Sequence, residues 1–254
     1  MRSWFKNIVF GLLPKARLKE DEAIILMYHS IGDRKDYFSS VSKKSFVQQM
    51  EYLHAAGIPV ISLPELIRRL KDGQLLGGAV VITFDDGYED NYLAAFPVLK
   101  RFNFPATIFL TTDLIGKEDK RNLSRLNGEQ TREMAQSGLI YFEPHTRSHP
   151  RLSQLPEDEV REEIVGSKKA VEELTGKTCS SFAYPYGDYN HVAKRLVEEI
   201  GFEAACTVKE GLIHHETDPF LLNRNSIDRS TSFVQFRAKV SRGIYMYEKL
   251  KVWN

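Results

Sequence analysis

Two adjacent carboxylates follow a short apolar run. The segment Thr83-Phe84-Asp85-Asp86-Gly87 comes directly after Ala79-Val80-Val81-Ile82, which has the length and composition of a buried strand. At a strand-to-loop turn with glycine next, both carboxylates can reach one cavity from different angles. One could then bind a metal ion while the other accepts a proton. The alternative is that both cap the following helix, and Asp-Asp-Gly alone favours that alternative.

A His-x-x-x-His pair follows a second strand-like run. His145 and His149 lie in Glu143-Pro144-His145-Thr146-Arg147-Ser148-His149-Pro150, after the apolar residues 139–142. The seven histidines of the chain would form about 0.2 such pairs by chance, so the spacing alone is moderate evidence. The two prolines indicate a structured loop rather than a helix interior. Asp86, His145 and His149 would form a two-histidine, one-carboxylate set for a divalent metal, with zinc favoured and cobalt, nickel or iron as alternatives.

Two further strand ends carry polar or aromatic groups. Ser181-Phe182-Ala183-Tyr184-Pro185-Tyr186-Gly187 ends in rings that could stack on sugar faces, although packed turn aromatics are the ordinary explanation. Met27-Tyr28-His29-Ser30 brings another histidine to the same rim. His29 alone would more often be a structural histidine whose ring is satisfied by hydrogen bonds.

Short apolar runs alternate with amphipathic stretches along the chain, a pattern that predicts repeated β-α units and a largely parallel sheet. No domain boundary interrupts it, so we expect an α/β fold of about seven parallel strands. A last helix is expected over residues 232–253, with Phe233, Phe236, Val240, Ile244 and Leu250 in the core. The predicted strands cover residues 23–28, 59–62, 79–84, 106–110, 139–142, 181–184 and 203–207.

Composition excludes several classes of function. Hydrophobic residues make up 42% of the 254 residues, enough for a sizeable core. Lys and Arg number 35 against 34 Asp and Glu, so no basic field is present to bind nucleic acid. Cys179 and Cys206 are too few for a disulfide framework and too far apart for a Cys-x-x-Cys site.

Residues 1–22 form a basic and apolar segment ahead of the expected single catalytic domain, residues 23–254. The apolar run at residues 8–13 is short for an export signal, Pro14 ends it, and no small-x-small cleavage site follows. The segment could lie on a membrane surface with Trp4, Phe5 and Phe10 among the headgroups, or pack on the domain as a terminal helix. We therefore expect a cytoplasmic or membrane-peripheral protein.

Together these motifs resemble the polysaccharide deacetylases of carbohydrate esterase family four, over residues 23–227. The resemblance implies a distorted (β/α) barrel and a metal bound by Asp86, His145 and His149. It also implies that Asp85 is the general base. The segments Leu26-Met27-Tyr28-His29-Ser30-Ile31, Phe182-Ala183-Tyr184-Pro185-Tyr186-Gly187 and Leu222-Asn223-Arg224 are similar to the branch that deacetylates poly-N-acetylglucosamine, which implies that His29 is the general acid.

The chain departs from the family pattern at three places. Ala183 stands where many members carry an arginine that orients the base, and Arg224 is the candidate to replace it. No late Leu-x-His motif is found, and His214 and His215 are expected in a surface loop. Glu143-Pro144-His145 replaces the usual Gly-Ser-His, which would change the wall beside the first histidine ligand.

The expected activity is metal-dependent hydrolysis of N-acetyl groups on an N-acetylglucosamine-containing glycan. Tyr184, Pro185 and Tyr186 would contact substrate, and the N–H of Tyr186 would stabilise the oxyanion. One alternative is a deacylase of a small or lipid-linked amino sugar, so that a glycolipid would be the partner. Another is a carbohydrate-binding barrel without catalysis, which only the missing arginine supports. The sequence leaves the oligomeric state open.

Overall fold

The computed structural model describes residues 17–34, 36–119 and 122–243. The segment predicted to contact a membrane lies mostly outside these residues. The strands are β1 Ala23–Tyr28, β2 Ser30–Ile31, β3 Ser40–Val41, β4 Ala79–Asp85, β5 Ala106–Leu110, β6 Ile140–Pro144, β7 Ser181–Ala183, β8 Ala204–Cys206 and β9 Asn225–Ser226. The α-helices are α1 Lys43–Ala55, α2 Leu63–Lys71, α3 Phe96–Phe102, α4 Gly128–Gln136, α5 Glu157–Thr175, α6 His191–Glu199 and α7 Phe233–Lys239, and a π-helical turn, Asn91–Ala95, precedes α3.

Seven of the parallel strands belong to two groups, and the short strands β2 and β3 form a third parallel pair. Five form one sheet in the order β6-β5-β4-β1-β9, and β7 pairs with β8. A single parallel bridge, Cys206 to Leu222, links the end of β8 to the segment before β9. The predicted α/β fold with a distorted barrel of about seven parallel strands is confirmed.

Two predicted elements differ from the structure. Residues 59–62 make only one bridge, Val60 to Val80, rather than a strand. The seventh parallel strand is instead β9, whose two residues are too short to carry a hydrophobic period. The predicted last helix begins as expected, with Ser232 and Gln235 forming a capping box, but α7 ends at Lys239. Residues 244–254 lie outside the described part of the chain.

Apolar side chains fill both faces of the main sheet. Alternate residues of β1 divide between them: Ile24, Leu26 and Tyr28 pack under the outer helices, whereas Ala23 and Ile25 face the barrel interior. Burial on both faces explains why the strands read as continuous apolar runs. Helix α2 closes one end of the interior with Leu63, Leu66 and Ile67. None of the helices in the described ranges is long and apolar enough to cross a membrane.

Strands β6 and β7 are joined through a buried carboxylate. Glu143 is 3% exposed and accepts hydrogen bonds from the N–H groups of Ser180 and Ser181 and from the Ser180 hydroxyl. Burial raises the pKa of Glu143 to about 7, although these donors oppose the rise. The residue that departs from the family pattern beside His145 therefore contacts β7.

Removing the charge of Glu143 should change how stability depends on pH. A carboxyl with a folded pKa above its unfolded value stabilises the fold most at low pH, and this contribution is lost as the pH rises through the folded value. With an ordinary pKa of 4.5 and a folded pKa of about 7, the loss falls between about pH 4.5 and 7 and amounts to about 3 kcal/mol. We expect the free energy of unfolding of the native chain to fall across this window relative to Glu143→Gln, in urea titrations at matched pH. A constant difference between the two chains would contradict the assignment.

Candidate active site

The carboxyl ends of the parallel strands surround one cleft. Its volume is about 750 Å³, and it lies where parallel barrels place their active sites. The β1–β4 register ends with Tyr28 opposite Phe84, so His29 and Asp85 reach the rim side by side. The cleft is lined by His29, Tyr37, Ser39, Asp85, Asp86, Leu114, Glu118, Asp119, Arg125, His145, His149, Tyr186 and Val208.

Asp86, His145 and His149 converge as a metal-ligand set. One donor atom from each residue lies within 4.8 Å of the others. The Nε2 atom of His149 is 3.2 Å from Asp86 Oδ1, and Nε2 of His145 is 3.9 Å from the same oxygen. His145 Nδ1 lies 2.7 Å from the carbonyl oxygen of Ala183. Because a carbonyl only accepts, Nδ1 carries the proton and Nε2 keeps its lone pair for a metal.

The protonation states of the set also suit a cation. Burial lowers the pKa of His145 to about 4, so this imidazole is neutral near pH 7. Burial raises the pKa of Asp86, but the hydrogen bond from His149 and the charges of His29, His149 and His145 outweigh it and hold that pKa well below its usual range. A neutral imidazole and an ionised carboxylate are the forms that bind a divalent metal. The donor set therefore fits the predicted ion.

Asp85 is held by a buried arginine. The two Nη atoms of Arg224 donate to the two carboxylate oxygens at 2.6 and 2.7 Å. Arg224 is fully buried, and its Nε donates to the carbonyl oxygen of Thr207 at 2.8 Å. Burial raises the pKa of Asp85, but the charges of Arg224 and His145 and the hydrogen bonds from Arg224 lower it below its usual range. The side chain predicted to replace the missing arginine thus contacts the predicted base.

Comparison with known proteins agrees with this arrangement. The family model for polysaccharide deacetylases matches residues 72–205. The Bacillus subtilis (strain 168) protein YxkH, itself assigned by name to the polysaccharide deacetylases, is 34% identical over 217 residues, covering 85% of this chain and 75% of its own. The chain belongs to the polysaccharide deacetylase family. Such enzymes are hydrolases that cleave the acetyl amide bonds of acetylated polysaccharides.

Other relatives extend the similarity to nearly the whole described chain. The poly-beta-1,6-N-acetyl-D-glucosamine N-deacetylase of Staphylococcus aureus (strain MSSA476) is 26% identical and covers 83% of this chain and 80% of its own. The structure of IcaB from Ammonifex degensii superposes with a TM-score of 0.80 at 27% identity, covering 89% of this chain and 100% of that one. The Streptococcus pyogenes deacetylase PplD, solved with acetate, gives 0.79 at 27% identity over 87% and 99% of the two chains.

His29 and Arg224 lie outside the residues that the family model matches. His29 lies between β1 and β2 and lines the cleft, and its Nδ1 atom is buried without a hydrogen-bond partner. Arg224 comes from the segment just before β9. Their positions therefore rest on the structure of this chain. His214 and His215 do not line the cleft, which agrees with their expected place in a surface loop.

Of the three predicted substrate residues, only Tyr186 lines the cleft. Its side chain is 55% exposed, and its ring lies 4.5 Å from that of His149. Tyr184 is fully buried and packs on Phe182, and Pro185 is also buried. The predicted contact of Tyr184 and Pro185 with substrate is therefore not supported by their position, and these two residues shape the turn that presents Tyr186.

A bend in the backbone explains why the two tyrosines point apart. Tyr186 has a left-handed φ of 60°, and Gly187 follows with a φ of 66°. A Cβ atom at Gly187 would lie 3.0 Å from the backbone nitrogen of Val208, which cannot move aside as a side chain would. Only glycine fits this position. The alternation expected of an extended strand therefore ends at Tyr186.

Arg125 is a site residue that the sequence did not reveal. It donates through Nη1 to the main-chain carbonyl of Asp86 at 3.1 Å, and its Nη2 lies 3.5 Å from Asp119. The guanidinium also stacks on the ring of Tyr88, 3.7 Å from its centroid. These contacts hold Asp86 in a left-handed conformation with φ of 71°. No local signal identifies Arg125, because it is 39 residues away from Asp86 in the chain.

The loop between the two histidine ligands is anchored by Glu163 of α5. One carboxylate oxygen accepts from the N–H groups of Arg147 and Ser148 at 2.8 and 2.9 Å, and the other accepts from the Ser148 hydroxyl at 2.7 Å. In the same loop, the carbonyl oxygen of Thr146 accepts from the N–H of Thr112. Glu163 therefore fixes the backbone that carries His149.

Loss of this anchor should weaken metal binding. We expect Glu163→Ala to raise the dissociation constant for zinc by about 10- to 100-fold, as is usual for residues that orient ligands. The matched control is Glu162→Ala, since the neighbouring Glu162 pairs with the side chain of Arg147 instead of with the backbone of the loop. Competition with a chromophoric chelator measures the dissociation constant for zinc in both variants. Equal affinities in the two variants would show that the loop holds its shape without Glu163.

Proposed function

We propose that this chain is a zinc-dependent N-deacetylase of a polymer of N-acetylglucosamine. The observation that carries the proposal is the convergence in one cleft of three metal donors, a buried carboxylate and a histidine. The substrate class follows from the name of the Staphylococcus aureus relative, which acts on poly-β-1,6-N-acetyl-D-glucosamine. The exposed ring of Tyr186 beside the donors offers a face for a sugar.

Zinc is the proposed ion because catalytic zinc sites commonly use three protein ligands and leave a position open. Asp86, His145 and His149 would hold it. When bound, such an ion supplies Lewis acidity, which acidifies water and polarises the acetyl carbonyl. The same donor types also suit iron, cobalt and nickel, so the ion has to be identified by restoring each metal separately.

Two side chains of the cleft would move the protons. Asp85 accepts a proton from the attacking water. Arg224 keeps the Asp85 carboxylate ionised and fixes its orientation before this step. His29 then donates a proton to the amine that leaves. The N–H of Tyr186 would donate to the oxyanion, an interaction worth roughly 3 kcal/mol in other acyl-transfer sites.

A non-catalytic carbohydrate-binding barrel is the less favoured alternative. Its one support is Ala183 in place of an arginine, and the guanidinium of Arg224, from the segment before β9, binds the Asp85 carboxylate instead. The residues proposed as ligands, base and acid all line this cleft, which supports catalysis over binding alone.

Acetate release tests the proposed function. Metal-stripped protein is given zinc, cobalt, nickel or iron singly and incubated with chitooligosaccharides or poly-β-1,6-N-acetylglucosamine. We expect acetate to be released from the β-1,6-linked polymer, with zinc restoring the activity. Failure with both glycans while the metal remains bound would reject a polymer substrate and point to a small or lipid-linked amide. Failure to bind any metal would reject the mechanism.

Exchanging each aspartate should separate metal binding from proton transfer. We expect Asp86→Asn to lose metal and activity together, because Asp86 is the carboxylate of the donor set. Asp85→Asn should retain metal and lose turnover, because its carboxylate is engaged by Arg224 and serves as the base. Metal content per chain and acetate release are measured on the same preparations. Equal metal loss in both variants would refute this division of roles.

Truncation of the proposed acid should leave the metal in place. We expect His29→Ala to bind zinc with native affinity while the rate of acetate release falls by roughly 10²- to 10⁴-fold, the usual contribution of a positioned acid. Near-native turnover in this variant would assign the acid to another group.

A further inference from the structure

No hydrogen bond to Nδ1 orients the ring of His29 among the described residues. That atom is buried and unpaired among the described residues. His145 differs, because the carbonyl of Ala183 fixes its ring. A histidine that transfers protons needs a defined position. The hydrogen bond that holds His29 is instead made to its main chain.

Two side chains from the turn after β4 hold that main chain. Asn91 donates through Nδ2 to the carbonyl oxygen of His29 at 2.7 Å. Asp90 accepts from the N–H of Ile31 at 2.9 Å and from the hydroxyl of Ser30 at 2.5 Å. Three consecutive residues, 29 to 31, are thus bound by two consecutive residues that lie about 60 positions later in the chain.

The hydrogen bonds fix how the Asn91 amide is oriented. Its Nδ2 also donates to Asp90 Oδ1 at 3.1 Å, so both neighbours of that nitrogen are acceptors. A flipped amide would place its oxygen against two acceptors, which is unfavourable. Asn91 is fully buried. The pair is therefore a preorganised clamp rather than a mobile surface contact.

Asp90 holds residues 30 and 31 instead of capping the helical turn that follows it. Asp90 directly precedes the π-helical turn that begins at Asn91, a position where aspartate usually accepts from the first N–H groups. Its side chain makes no capping hydrogen bond there. The carboxylate is committed instead to residues 30 and 31. The same short turn begins with Asp85 and Asp86, so it carries the base, a metal ligand and the clamp.

We infer that Asp90 and Asn91 are positioning residues for His29, holding the acid at a fixed place relative to the metal donors and Asp85. This inference rests on the proposed function, because it assigns a role within that reaction. Neither residue touches the reacting atoms. Their loss should therefore reduce turnover only to the extent that His29 contributes to it.

The test is a double-mutant cycle in the full chain loaded with zinc. Asn91→Ala and the nearly isosteric Asp90→Asn are each made alone and together with His29→Ala. The matched control is Glu89→Gln, in the same turn, whose carboxylate accepts from Gln130 and, in the part of the chain that the structure describes, makes no hydrogen bond to residues 29 to 31. We expect Asn91→Ala and Asp90→Asn to lower kcat about 10-fold or more, the cost of a small misplacement, with KM and zinc affinity changed less than about twofold.

In the His29→Ala background the same changes should cost less than about twofold, because the group that they position is gone. An equal loss of kcat in both backgrounds would overturn the inference and assign the pair a general structural role. Thermal unfolding identifies a variant that fails to fold, and Asp90→Asn, which removes no volume, then carries the test alone.

Crystal structures of the variants test the position of the His29 ring independently of turnover. We expect the His29 ring to move by more than about 0.5 Å, the tolerance of a productive site, in Asn91→Ala but not in Glu89→Gln. A ring that stays in place would overturn the inference. If the ring moves but His29→Ala retains native turnover, the positioning stands and the assignment of the acid fails, so the two failures are distinguishable.

Discussion

The buried ion pair between Asp85 and Arg224 is the interaction on which the site depends. Taking a carboxylate and a guanidinium out of water costs several kcal/mol per ion, and the pair repays this only with good geometry. Here each Nη atom of Arg224 donates to one oxygen of Asp85, and the carbonyl of Thr207 accepts from Nε. Removing either partner would leave an uncompensated buried charge, at a cost of about 3–5 kcal/mol.

This pair also links two parts of the sheet. Asp85 ends β4 at the centre, whereas Arg224 precedes the edge strand β9, which pairs with β1 through only two residues. Because Arg224 comes from that edge, position 183 needs no arginine and is alanine, and the main-chain carbonyl at this position orients His145. The departure from the family pattern at Ala183 is therefore compensated in the same interior, and the base and the first histidine ligand are held by neighbouring contacts.

Strained backbone is concentrated around the cleft. Of the six non-glycine residues with positive φ in the described ranges, four lie at the site: Asp86, Thr146, His149 and Tyr186. Each such residue costs roughly 1–2 kcal/mol, and strain of this kind persists only where neighbouring contacts enforce it. Those contacts are visible: Arg125 binds the carbonyl of Asp86, and the Thr146 hydroxyl accepts from the N–H of His149.

The sequence predicted the parts of the site that depend on local patterns. Continuous apolar runs located most of the parallel strands, and the residues just after them supplied Asp85, Asp86, His145, His149 and His29. The sequence could not show that β9 is a strand and that Val60 makes only one bridge, because one or two paired residues are too few for a hydrophobic period. The bend at Tyr186 was also invisible, since it depends on Val208 excluding any side chain at Gly187.

The remaining residues could not be found because they act across the fold. Glu163 and Asn91 are ordinary polar residues of a helix and a turn when read locally. Each gains its role from a partner that is distant in the chain, Ser148 in one case and His29 in the other. Such pairings depend on how the strands and helices pack. They therefore leave no pattern among neighbouring residues of the sequence.

The base and the acid are held by opposite means, and their chemistry explains the difference. Asp85 must stay ionised in a buried place, so a charged partner engages its side chain directly. The Nδ1 atom of His29, by contrast, has no hydrogen-bond partner among the described residues. Asn91 instead anchors the main chain of His29. The ring can then face the leaving amine while the turn after β4 keeps acid, base and metal ligand at a constant spacing.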